Sequence, residues 1–74
     1  MRKPEIPPLE EIGNEVHKLI SDDGFTLSEA AQHLAEKYQR TPTTIRWYWN
    51  NYAEFHRIEY NRKLNKIQAY DEIS

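Results

Sequence analysis

Two helix-start signals stand fifteen residues apart in this chain, and together they dictate most of what it can become. The first is Thr26-Leu27-Ser28-Glu29. A threonine followed three residues later by glutamate is a capping box: the hydroxyl takes a free amide at the helix start, and the carboxylate reaches back to the threonine's own amide. The second is Thr41-Pro42, an N-cap followed by a residue whose ring presets helical backbone and whose missing amide costs nothing there. Between them, Gln39-Arg40 closes the first helix and leaves only a short turn. Leu27, Ala30, Ala31, Leu34 and Tyr38 recur at helical spacing, and the two small alanines let another helix cross closely. Ile45, Trp49 and Tyr52 form the inward stripe of the second helix, with or without Tyr48. A capped helix, a tight turn and a second capped helix make the helix-turn-helix layout.

The segments on either side complete an expected all-α domain. Residues 1–8 hold Pro4, Pro7 and Pro8, and prolines lack the amide donor and fix their own backbone, so this is an extended lead-in. Pro8 suits the first position of a helix. From there Leu9, Ile12, Val16, Leu19 and Ile20 make one apolar stripe, Glu10, Glu11 and Glu15 suit its amino end, and Ser21-Asp22-Asp23-Gly24 stops it. After Ala53 no breaker appears, so residues 54–70 are expected to be helical, as a continuation or after a bend near Asn50-Asn51 or Asn61. The expected architecture is a three-helix helix-turn-helix bundle over residues 9–53, with an additional C-terminal helix in 54–74 as a possible dimerisation segment.

Composition limits the function classes. Seventy-four residues without cysteine form one domain that buries about 60% of its unfolded surface, so its stability is marginal. The absence of cysteine fits a reducing, cytoplasmic setting. Met1-Arg2-Lys3-Pro4-Glu5 is followed by no apolar run, so a secretory signal is not expected, nor is any membrane segment. His17, His33 and His56 lack metal-ligand spacing. Nothing resembles a glycine-rich phosphate loop, a nucleophile elbow or a catalytic carboxylate set. The expectation is therefore a binding module with no cofactor, no metal and no small-molecule substrate, not an enzyme.

The net charge of −2 does not announce a nucleic-acid partner, but its distribution is informative. Residues 1–37 carry four Lys/Arg against eight Asp/Glu, and residues 38–74 carry six against four. A chain of this kind can present a positive face while its total is negative. Helix 3, about residues 42–53, turns Thr43, Thr44, Arg46, Trp47, Asn50 and Asn51 outward. Thr41, Thr43 and Thr44 crowd its amino end, where helix amides and hydroxyls suit phosphate. Arg46 and Asn50 lie four apart and share a face; arginine pairs with guanine and asparagine with adenine in the major groove. Arg40 reads either as a phosphate contact or as a cap on the preceding helix. Trp47 is either core or an exposed anchor. Arg57, Arg62, Lys63 and Lys66 are either a solvated face or further backbone contacts.

Residues 24–53 carry a resemblance. Gly24-Phe25-Thr26-Leu27-Ser28-Glu29-Ala30-Ala31, then Leu34, Tyr38, Arg40-Thr41 and Trp49-Asn50, resemble the Myb-like helix-turn-helix of bacterial prespore RsfA-type transcription regulators. Arg40, Thr41, Trp49 and Asn50 match that pattern directly. The resemblance implies a core role for Trp49, a DNA contact for Asn50 and a role in transcription regulation, of bacterial or phage kind.

Two functions therefore stand at this point. One is a DNA-binding regulator at the nucleoid, with helix 3 in the major groove and a homodimer or protein partner held through 54–70. The other is an adaptor or inhibitor that docks on another regulator through Trp47 and the C-terminal segment, using the same scaffold.

Overall fold

The computed structural model describes residues 4–70. Three helices, α1 (Leu9–Ser21), α2 (Leu27–Tyr38) and α3 (Pro42–His56), are followed by an antiparallel hairpin of β1 (Ile58–Asn61) and β2 (Lys66–Ala69). The helix starts form as their chemistry requires. Glu29 N donates to Thr26 Oγ1 at 3.2 Å while Thr26 N donates to Glu29 Oε1 at 3.0 Å. Thr44 N donates to Thr41 Oγ1 at 3.2 Å. Pro8 stands one place earlier than expected: it is the N-cap, and its carbonyl accepts from Glu11 and Ile12. Gly24 sits at φ +73°, the left-handed region that glycine enters without cost, and the chain turns there so that Phe25 N reaches Leu19 O. The α3 helix runs to His56, so of the helix expected over 54–70 only the first three residues are helical, as a continuation of α3.

The core lies where the three helices meet. Ile12, Val16 and Ile20 of α1 meet Ala30, Ala31, Leu34 and Ala35 of α2, and Ile45, Trp49 and Tyr52 close it from α3. The lead-in is docked, with Ile6 packed against this cluster.

The expected all-helical class is overturned by the hairpin. No C-terminal helix follows α3 within the described residues; Arg57 takes φ +54° and ends it, and Tyr70 N donates back to Arg57 O at 3.0 Å. The register pairs Ile58 with Ala69 and Tyr60 with Ile67, and Ile58, Tyr60 and Ile67 pack on the helical core. Burial of those three side chains is what a lone helix over 54–70 could not achieve, because its apolar residues share no single stripe. Asn65 holds the tight turn at φ +50°, accepts from Tyr60 Oη at 2.6 Å and donates to Gly24 O at 3.3 Å. The hairpin is thus pinned to the α1–α2 loop. A homodimer through a C-terminal helix has no such helix to use, and residues 71–74 of that expectation lie outside the described residues.

A polar cluster ties α2 to α1. Glu15 accepts from Lys37 Nζ at 2.8 Å and from Tyr38 Oη at 2.7 Å. The hydrogen bond to Glu15, then that carboxylate's charge, raises the Lys37 ammonium above its ordinary range. Burial, then the bond to Glu15, raises the Tyr38 phenol. Burial, then the charge of Glu10, raises Tyr52. All three hold their protons more tightly folded than unfolded. Their stabilisation is therefore complete below the unfolded pKa, about 10 for these groups, and is lost as pH rises through the folded values. The urea midpoint is expected to hold level from neutral pH to about 9 and to fall above about 10. Tyr38→Phe and Tyr52→Phe should each make that alkaline fall shallower.

Candidate nucleic-acid interface

The hairpin stands beside α3 as a wing, and a groove of about 810 Å³ runs between them. Leu27 and Trp49 contribute its apolar lining, Asn50 and Glu54 its α3 side, and Asn61, Arg62, Lys63, Gln68 and Tyr70 its hairpin side. A second cleft of about 390 Å³ is bounded by Thr26, Leu27, Ser28, Arg46, Tyr60 and Arg62. The two share Leu27, Tyr60 and Arg62, so they adjoin. Positions 46, 50 and 54 recur every four residues and so lie along one side of α3. Three cations, Arg46, Arg62 and Lys63, face two carboxylates, Glu54 and Glu59, around this surface.

The residues singled out from sequence divide into three sets. Thr43, Arg46 and Asn50 are exposed on α3, and Trp47 is 57% exposed, packed edge-on against Tyr48 at 5.2 Å. Arg62 and Lys63 join them from the turn of the hairpin. A second set is engaged by the fold. The Arg40 guanidinium donates to Tyr38 O at 2.8 Å and Pro4 O at 3.3 Å, holding the end of α2 to the lead-in. The bond to Tyr38 O is the kind a cap on α2 makes. The hydroxyls of Thr41 and Thr44 lie 3.0 Å apart at the start of α3, and Asn51 Nδ2 donates to Trp47 O at 2.8 Å. The third set is Arg57, exposed at the left-handed end of α3 and outside both openings.

Sequence reasoning passed over Ser28, Tyr60, Asn61, Gln68 and Tyr70, which the fold brings to this surface. For the hairpin residues a signal existed. Ile58 and Tyr60 alternate with polar neighbours, and Asn61 stands just before a four-residue turn that ends on Asn65; asparagine tolerates the left-handed conformation that Asn65 adopts. Ser28 carries no such signal, because the side chain that meets it comes from eighteen residues further on.

Comparison of the chain with protein-family models, with curated proteins and with solved structures yields no match.

Proposed function

We propose that this protein is a non-enzymatic module that binds duplex DNA, inserting α3 into the major groove while the hairpin lies against the flanking backbone. The observation that carries this reading is the meeting of Arg46 and Asn50 on α3 with Arg62 and Lys63 of the hairpin around adjoining openings. The helix-turn-helix formed by α2 and α3 holds α3 by its apolar back and leaves a polar front, as major-groove entry requires. The Myb-like resemblance agrees in placing Trp49 in the core and Asn50 at the contact. On this reading the protein regulates transcription and works at the nucleoid.

Each phosphate that the protein neutralises releases a condensed counterion. Binding to mixed-sequence duplex is expected at low salt, falling with a log–log slope of about −3 to −4 per monomer for roughly four contacts. Fluorescence anisotropy at a series of salt concentrations measures this. Folded protein with no retention on duplex at about 50 mM salt would overturn the reading.

One observation favours the competing function. Trp47 is 57% and Phe55 78% exposed on α3, and large exposed aromatics are common anchors at protein interfaces. If duplex binding is absent, an adaptor that docks on another protein through this aromatic surface becomes the better account.

A further inference from the structure

We infer that Arg46 and Arg62 close together on one phosphate group of the bound nucleic acid, so that Arg46 positions the protein and Asn50 reads the base. This rests on the DNA-binding reading above and changes the division of labour within it. Arg46 issues from α3, but its Nη2 donates to Ser28 Oγ on α2 at 2.6 Å. A guanidinium held against α2 is turned away from the outer front of α3, where a base edge would lie. It lines the 390 Å³ cleft between α2 and the hairpin, and Arg62 lines the same cleft from the hairpin. Two arginines from elements remote in sequence thus line one opening.

The lining chemistry suits an anion. The remaining polar lining residues are Thr26, Ser28 and Tyr60, all hydroxyl-bearing, and among the described residues no carboxylate lines this cleft. Among the described residues the ion pairs are Lys37 with Glu15 and His56 with Glu10, so neither arginine is neutralised by one. Glu29, the acid nearest in sequence to this wall, is occupied by the Thr26 amide. Glu54 and Glu59 belong to the adjoining groove. A guanidinium offers five donors in a planar fork that matches phosphate oxygens, and this cleft is lined by two arginines together with Ser28. Asn50 is exposed on the same side of α3, in the wider groove, and keeps both a donor and an acceptor for an adenine edge.

Two measurements test this. In the first, inorganic phosphate is titrated into the folded protein and followed by NMR. Saturable shifts centred on Ser28, Arg46 and Arg62, abolished by Arg46→Ala, are expected; a weak drift spread over all surface cations would overturn the clamp. In the second, duplex affinity is measured against salt for the wild type, Arg46→Ala, Arg62→Ala and the double variant. One shared phosphate predicts that the double variant lowers the slope by about 0.9 in total, whereas two independent contacts would remove about 1.8. Arg46→Ala should weaken binding to unrelated sequences by the same factor, while Asn50→Ala should alter their ranking. If Arg46→Ala alters the ranking and leaves the slope unchanged, Arg46 reads a base and the clamp is wrong. If phosphate shifts the clamp but no duplex binds, the phosphate site stands and the DNA reading falls.

Discussion

Trp49→Ala is expected to cost about 3–5 kcal/mol, the usual loss on truncating a buried aromatic. A domain of this length has a total stability of about 4–11 kcal/mol, so much of the population should be unfolded at ambient temperature. The reason lies in position. Trp49 is 2% exposed and stacks on Tyr52 with ring centroids 5.7 Å apart, in the layer where α3 meets the other two helices. It also lines the groove, together with Asn50, so its loss would remove apolar lining between α3 and the hairpin. Trp47→Ala, two residues away, removes a ring already 57% in water and should change stability by no more than about 0.5 kcal/mol. Urea denaturation of the two variants separates these outcomes. A tolerated Trp49→Ala beside an unfolded Trp47→Ala would mean that α3 is rotated about its axis.

That contrast shows what the sequence makes legible. The α3 starting signal is local, an N-cap and a proline, and three- and four-residue spacing then orients the whole helix. Trp49 and Ile45 could be placed inside, and Arg46 and Asn50 outside, without any knowledge of the partners. The capping box of α2 is equally local, and its two reciprocal bonds are present. The hairpin is a different case. Each strand has four residues, and its stability comes from laying Ile58, Tyr60 and Ile67 on helices distant in sequence. Short strands are set by such packing more than by intrinsic preference, so a run without proline or glycine reads as helix until the core it covers is known. Arg40 shows a further limit. The Pro4 carbonyl that its guanidinium meets lies thirty-six residues away, and no local spacing announces that contact.

Gly13 carries a constraint that no periodicity reveals. A glycine inside a helix costs about 1 kcal/mol relative to alanine, so Gly13→Ala would stabilise an isolated α1. In the folded protein the opposite is expected. The Tyr52 ring lies directly over Gly13, and an added Cβ would sit closer than 3.0 Å to its Cγ, Cδ1 and Cδ2. The ring has little room to withdraw. Its hydroxyl donates to Asn14 Oδ1 at 2.7 Å, Trp49 stacks on one side, and the His56 ring lies 4.3 Å away. His56 is in turn held 2.5 Å from Glu10 Oε1. The methyl group must therefore push α1 and α3 apart. Overpacking of this kind costs about 1–3 kcal/mol and sometimes more, which exceeds the gain in helix preference. Gly13→Ala should accordingly lose about 1–3 kcal/mol net. In a Tyr52→Ala background the obstacle is gone and the sign should reverse, with Gly13→Ala neutral or stabilising by up to about 1 kcal/mol. Urea denaturation with a stabilising osmolyte keeps all four members of this cycle within a measurable folded baseline. Equal effects of Gly13→Ala in both backgrounds would show that Tyr52 does not occupy the space above Gly13, and that the approach of α1 to α3 is set elsewhere.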